Sequence, residues 1–403
     1  MSWSLIKLSE ICDLFNGYAF KSADYVDESN TLSCRMSNIR PGGKFDIQYN
    51  ARYLPDDFAK KYEQFLLKDD DVVIAMTDLA DSPKILGVPT VIKTNGKQIL
   101  LNQRVGKLVI KDLKKVHFPY LQLALNSSKV RSIYKRFAGG GLQINLGKKD
   151  LLSVEIPLPP LPEQQKIAAI LDAADQLRQK DQQLIEKYNT LSQSLFLDMF
   201  GDPTVNPYQW EIKNLSDVCF KITDGTHQSP TFLTNGIPFL LVSNIVDNEI
   251  TYQTNKFISE EEYETLTKNT PIEVGDILYT SVGSYGNPAI VKSKERFCFQ
   301  RHIAQIKLNH QLVNSKFLNG LLQTSSIKVQ ADKLARGVAQ KTLNLAAIKS
   351  FRVIHPPITL QNQFSERIQA IEAQKQQAQA SLQKSEDLFN SLLQRAFKGE
   401  LTA

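Results

Sequence analysis

Ile156-Pro157-Leu158-Pro159-Pro160-Leu161-Pro162-Glu163-Gln164-Gln165 is the stretch whose reading decides the fold. Four prolines in seven positions remove backbone donors and fix φ, so a strand arriving here cannot drift into a helix and must turn stiffly into one. Beyond the turn, Ile167, Ile170, Ala174, Leu177, Leu184, Tyr188, Leu191 and Leu195 recur at heptad spacing. A second turn, Ile354-His355-Pro356-Pro357-Ile358, precedes Ile368, Ile371, Ala378, Leu382, Phe389 and Leu392. Both runs read as coiled-coil seams. Helices over 163–200 and 361–398 would each be roughly 57 Å long at 1.5 Å per residue. Glu163 falls in a first helical turn, where its charge suits the macrodipole.

Outside these helices the chain repeats itself. Trp3, Leu8 and Cys12 return as Trp210, Leu215 and Cys219, and Ser37-Asn38-Ile39 returns as Ser243-Asn244-Ile245. Read by identity alone, Gln103-Arg104 matches Gln300-Arg301, Lys129-Val130 matches Lys328-Val329, and Asn145-Leu146 matches Asn344-Leu345. The helix ends agree as well, Phe200 answering Phe397. A period this long exceeds that of solenoids, so the repeating unit is a domain plus its helix. The expected division is 1–156 and 203–355 for two lobes, with 157–202 and 356–403 as helical regions. The expected fold class is α/β (α+β): two repeat-related lobes separated by two long antiparallel coiled-coil helices in a pseudo-two-fold arrangement.

Each lobe reads as short strands and one helix. The β-branched runs at 71–76 and 275–280, and the alternating runs at 105–110 and 303–308, read as strands. A helix is expected at 119–137 and again at 315–335, ending in Lys129, Arg131, Lys135 and Arg136 or in Lys328, Lys333 and Arg336. Gly139-Gly140-Gly141 or Gly337 follows, where backbone can approach a partner closely.

The formal net charge of +6 divides unevenly. Residues 1–156 carry +6 and residues 203–355 carry +3, whereas the helical remainder carries −3. A basic excess confined to the lobes is where a polyanion would be gripped; near-neutral helices suit protein contacts. The start lacks a charged region leading into an apolar run, and no stretch approaches 18 apolar residues, so a cytoplasmic protein without membrane contact is expected. Cys12, Cys34, Cys219 and Cys298 form no CxxC pair and read as small apolar residues.

Catalytic chemistry finds no support in the residues. Gly141 to Gly147-Lys148-Lys149 has one residue too many for a phosphate loop, with Lys149 where magnesium needs Ser or Thr. The five histidines have no ligand partner at metal spacing, so no metal is expected. Asp69-Asp70-Asp71 keeps only one counterpart, Asp276, and reads as a turn. Asn206-Pro207-Tyr208 falls one proline short of an adenine-methyltransferase motif, and no glycine-rich loop precedes it. No catalytic residue is expected.

Base-reading chemistry is better represented, because Arg pairs with guanine and Asn or Gln with adenine through two hydrogen bonds. The DNA-contact candidates are Lys21, Arg35, Asn38, Arg40, Gln103, Arg104, Lys135, Arg136 and Gln143 in the first lobe. In the second they are His227, Gln228, Asn244, Ser284, Tyr285, Gln300, Arg301, Arg336 and Gln340. Those shared by both lobes, Asn38 with Asn244 and Gln103 with Gln300, have a second reading as residues that satisfy loop backbones. Arg35 against Leu241 differs between lobes and suits discrimination.

Taken together, the proline turn running from Ile156 to Ile167, Thr223-Asp224-Gly225-Thr226-His227 with Gly236-Ile237-Pro238-Phe239-Leu240, and Gly17-Tyr18-Ala19-Phe20-Lys21-Ser22 resemble the DNA-specificity subunits of type I restriction–modification systems. The likeness spans the chain. The second turn departs from it, with Gln361-Asn362-Gln363 in place of Glu-Gln-Gln. The resemblance implies a non-catalytic reader of a bipartite double-stranded DNA site. One half-site would fall to each lobe, and the helices would set the gap. Two methyltransferase subunits would dock to modify adenine N6, and restriction and translocase subunits would join them. S-adenosylmethionine, magnesium and ATP would belong to those partners and not to this chain. Docking is expected on outward helix faces at Ala168, Leu171, Ile185 and Phe196. A coiled-coil DNA-binding scaffold or regulator, or a subunit of another modification or nuclease system, is the alternative.

Overall fold

The computed structural model describes residues 3–137, 142–337 and 341–401. The chain forms two compact units, one of residues 1–180 with 382–403 and one of residues 181–381. Each unit holds a lobe of mixed strands and helices together with parts of both long helices.

The first lobe is built on an antiparallel sheet in the order Cys12–Asn16, Val105–Ile110, Val72–Ala75, Pro89–Val91. Val72 and Ile74 point into one core with Leu14 and Leu108, while Val73 and Ala75 point into another with Val88 and Val105. Burial on both faces explains why this strand reads as an unbroken apolar run and not as an alternation. A second sheet places Thr31–Cys34 parallel to Gln98–Leu101, flanked by Tyr53–Leu54 and Leu66–Leu67. A two-stranded ribbon, Leu5–Lys7 on Glu155–Pro157, closes the lobe where the proline turn begins.

The second lobe repeats the main antiparallel sheet, the parallel strand pair and the closing ribbon of this plan. Its antiparallel sheet runs Cys219–Asp224, Ile303–Leu308, Ile277–Thr280, Pro288–Ile290, and Ile237–Leu240 lies parallel to Cys298–Phe299. Glu211–Asn214 pairs with Arg352–His355 to close it. Leu8 and Leu215, both buried, donate their backbone N–H groups to Val154 and Phe351 at 2.9 and 2.8 Å.

Burial and hydrogen bonding correct the repeat register in three places. Val130 and Ile327, not Val329, share the same buried post early in a helix. Leu146 donates to Met76 O and Leu343 to Ser281 O, both at 2.8 Å, so Leu146 answers Leu343 and Asn145 answers Thr342. Gln300 corresponds to Asn102, so Gln103 answers Arg301. Loops of unequal length move the offset along the chain, and identical dipeptides a residue or two away are coincidences that only the core can expose.

The helix expected at 119–137 is two helices, Phe118–Leu125 and Ser128–Lys135, and that at 315–335 is likewise Ser315–Leu322 and Ser325–Leu334. The break has a local cause: the Ser127 side chain caps the second helix through Val130 N–H. Asp71 and Asp276 are turn anchors, accepting Lys68 N–H and Glu273 N–H at 2.9 Å and pairing with Lys107 and Lys307 at 2.7 and 3.2 Å.

The long helices run Leu161–Phe200 and Ile358–Lys398. Gln361, five residues after Pro356, stands where Gln164 stands five after Pro159, so the second turn is the same motif displaced by one residue. In the first unit Ile167 and Leu171 share a core with Ala396, and the Arg178 guanidinium lies 5.0 Å from the Phe389 ring. In the second unit Ser381 donates to Asp181 at 3.2 Å, and Phe196 and Phe200 pack on Phe364 with centroids 5.6 and 5.3 Å apart. Within each unit the two helices are therefore antiparallel.

The expected docking residues lie on the inner side of these contacts. Ala168, Leu171 and Phe196 are buried in the lobe cores, and Ile185 is half-buried. The heptad residues expected in the seam divide: Ile167, Ala174, Ile368 and Ala378 are buried, whereas Ile170 38%, Leu177 45%, Leu184 39% and Leu191 48% stand exposed. A heptad pattern marks a stripe without saying which stripe a lobe covers. Among the described residues no helix is long and apolar enough to cross a membrane, and no group of three or more potential ligands could hold a metal ion.

Candidate nucleic-acid interface

In the first lobe, strands Thr31–Cys34 and Gln98–Leu101 end side by side. Arg35 leaves one and Gln103 the other. Asn102 N–H donates to Cys34 O at 3.1 Å, Gln103 N–H to Tyr18 O at 2.9 Å, and Met76 N–H to Arg104 O at 3.0 Å. One sheet end thus gathers four chain segments. A fifth joins through Thr77–Leu79, which pairs with Gln143–Asn145 and sets Gln143 opposite Leu79.

The second lobe gathers the same segments by the same bonds. Gln300 N–H reaches Leu240 O at 3.1 Å, Arg301 N–H reaches Thr226 O at 3.2 Å, and Ser281 N–H reaches His302 O at 2.9 Å. Gly283 N–H donates to Lys341 O at 3.2 Å, and Thr342 exchanges two backbone bonds with Arg336.

Several candidates present exposed or half-buried side chains. Gln103, Arg104, Arg301 and Arg336 are exposed, as are Lys21, Gln228 and Ser284, while Arg35 and Gln143 are half-buried. His227 is exposed and meets Asp224 Oδ2 at 3.0 Å. Tyr285 donates to Asp332 at 2.7 Å, a bond that holds its phenol protonated above the ordinary tyrosine range. Lys135 and Arg136 lie exposed at the end of Ser128–Lys135. The Arg40 guanidinium lies 3.5 Å from the centroid of the Tyr49 ring. Gln340 and the run Gly139-Gly140-Gly141 lie outside the described residues.

Asn38 and Asn244 both hold loop backbones with their side-chain amides. Asn38 is buried; it accepts Arg35 N–H at 2.8 Å and donates to the carbonyls of Asp46 and Tyr49, each at 3.1 Å. Asn244 accepts Leu241 N–H at 2.9 Å and donates to Thr251 and Gln253 carbonyls at 3.0 and 2.9 Å. With acceptor and both donors engaged, neither amide has an edge left for a base. Gln300 sits half-buried at the corner of its turn, where the first lobe has Asn102.

Residue identity alone passed over His302. It occupies the position of Arg104, and the Arg301 Nε donates to its Nε2 at 3.3 Å. Burial, and then the Arg301 charge, hold its pKa below the ordinary histidine value. The signal lay in the backbone pattern, which the coincidental Gln-Arg repeat concealed.

Relatives of known type share this architecture. The family described as type I restriction modification DNA specificity domain matches residues 2–187 and again residues 207–384. The type I restriction enzyme EcoBI specificity subunit of Escherichia coli is 24% identical over 439 residues, spanning 100% of this chain and 87% of that protein. The crystal structure of a type I restriction–modification S subunit from M. genitalium superposes with a TM-score of 0.57 at 16% identity, covering 98% of this chain and 96% of that one. A chain from a structural study of assembly and conformational transition in the type I system gives a TM-score of 0.55 at 17% identity, covering 99% and 98%. With its two matched segments falling on the two lobes, this chain belongs to the type I restriction–modification DNA-specificity family.

Proposed function

We propose that the chain reads a bipartite double-stranded DNA target, one half-site per lobe, and directs adenine-N6 methylation and restriction carried out by partner subunits. The observation that carries this reading is the duplicated turn cluster: the same backbone frame in both lobes bears different side chains. Arg35, Gln103, Arg104 and Gln143 would face one half-site, and His227, Gln228, Tyr285 and Arg301 the other. Lys21, Lys135, Arg136, Ser284 and Arg336 suit phosphate contacts, which position a duplex without reading it.

The lobes would correspond to 1–156 and 203–355 and the helical regions to 157–202 and 356–403. S-adenosylmethionine, magnesium and ATP would be held by the two methyltransferase subunits and the restriction subunits, in the cytoplasm. The exposed leucines of the first long helix, Leu177, Leu184 and Leu191, are the side chains suited to protein docking.

The test is an exchange of residues 1–156 for the corresponding lobe of a relative, co-expressed with its modification subunits, followed by mapping of methylated adenines. One half of the target is expected to change while the other stays. A simultaneous change in both halves overturns the reading.

A further inference from the structure

The two structurally equivalent turns at the sheet ends have the same frame and different tips. In the first lobe Val105 N–H returns to Asn102 O at 2.9 Å, leaving Gln103 and Arg104 as the central pair. In the second Ile303 N–H returns to Gln300 O at 3.1 Å, leaving Arg301 and His302. Three further backbone bonds lock each turn to its neighbours, so the frame does not depend on the central side chains.

A glycine passes beneath each turn because nothing larger fits. A Cβ on Gly17 would lie 2.3 Å from Asn102 O, and one on Gly225 would lie 2.1 Å from Phe299 O. Asn102, which precedes the central pair, is buried and accepts Arg104 N–H at 3.3 Å. Floor and backbone hydrogen bonds are thus shared between the lobes. What differs is the corner residue, Asn102 against Gln300, and the central dipeptide, Gln-Arg in one lobe and Arg-His in the other.

We propose that these central pairs, Gln103-Arg104 and Arg301-His302, are base-reading positions of the first and second half-sites. The chemistry of the pairs suits the task. Gln can pair with adenine N6 and N7, and Arg with guanine O6 and N7. With its Nε2 accepting from Arg301, a neutral His302 keeps Nδ1–H to donate to an acceptor on a base edge. This inference rests on the reading that each lobe recognises one half-site.

The experiment uses the full chain with its modification subunits. Methylated adenines in genomic DNA are mapped first. Methylation rates are then measured on a duplex library carrying every single-base change of the mapped site, for wild type and for Arg301→Ala, Arg301→Lys, His302→Ala and the transplant Gln103→Arg with Arg104→His. A bidentate base contact predicts a loss of roughly ten- to hundredfold in discrimination at one or two positions of one half-site. Arg301→Lys should lose it as Arg301→Ala does, because Lys keeps the charge and not the fork. The transplant should alter only the first half-site.

Uniform weakening on all sequences, with a shallower salt dependence and unchanged base preferences, would make these phosphate contacts and overturn the proposal. Thermal midpoints close to wild type guard against a folding artefact; if a side-chain deletion unfolds its lobe, the transplant, which keeps a long side chain at each position, decides between the two outcomes. The lobe exchange separates the two ideas: if it moves one half-site while the transplant moves none, only this inference fails.

Discussion

Gln164 and Gln361 hold the same buried position at the start of the two long helices. Gln164 accepts His117 N–H at 2.8 Å and donates to the carbonyls of Lys115 and Pro159, each at 2.8 Å. Gln361 accepts Asn314 N–H at 2.9 Å and donates to Leu312 and Pro356 carbonyls at 3.2 and 2.8 Å. One amide thus ties its proline turn to the loop before a lobe helix and uses every hydrogen-bonding group it has. Gln164→Leu keeps the volume and abandons three backbone groups away from water. Each such group costs about 1–3 kcal/mol. The variant should therefore lose several kcal/mol in urea unfolding, and a loss under about 1 kcal/mol would show that water replaces the amide.

The inner and outer faces of the first helix should respond unequally to truncation. Leu171→Ala opens a cavity in a fully buried site and should cost about 2–5 kcal/mol. Leu191→Ser alters a side chain that is already half in solvent and should fall within about 0.5 kcal/mol. Paired chemical denaturation of the two variants checks this. Loss of modification activity in Leu191→Ser with stability unchanged would mark the outer face as a docking surface.

Asn38→Ala should act on folding before it acts on recognition. It strips the caps from a tight turn whose residues include Arg35, and about 1–3 kcal/mol of stability is expected to go with them. The thermal midpoint should fall, and the base preference at temperatures well below it should stay. A specificity change without a stability change would make Asn38 a base reader after all.

Three of the four thiols, Cys12, Cys34 and Cys298, are buried, and Cys219 is half-buried. Burial pushes Cys12, Cys34, Cys219 and Cys298 up to about 12. Against an unfolded value of roughly 8.5, this lowers the thiolate fraction at neutral pH by about three-thousandfold. Alkylation by iodoacetamide should be slow until the chain unfolds. The linkage has a defined sign: the native pKa is raised, so the stability these thiols confer is complete below the unfolded value and is lost as pH climbs from about 8.5 towards 12. A native-state alkylation rate close to that of a free thiol would contradict the burial.

Much of the architecture was legible because its causes are local. Pro157, Pro159, Pro160 and Pro162 announce a turn through fixed φ and absent donors. The strand Val105–Ile110 shows in alternation, and Ile303–Leu308 repeats it. Gly17 and Gly225 are forced by backbone approaching within contact distance. The site was legible only in composition. Arg, Gln and His were evident, whereas the difference between Asn38, whose amide is fully used, and Gln103, whose amide is free, depends on neighbours up to 85 positions away, Tyr18 and Tyr49 among them.

By itself the sequence determined two lobes, two long helices and a net basic charge carried by the lobes, because periodicity, proline and charge act over a few residues or simply add. The tertiary structure alone decided which helix stripe is core, since Ile170 and Leu171 are neighbours on one helix and only the packing of a lobe against it buries Leu171 and leaves Ile170 in water. It also decided which residues correspond between the lobes. Loop lengths shift the numbering, and the bonds of Arg301 to Thr226 and of Gln103 to Tyr18 exist only once the sheets have formed.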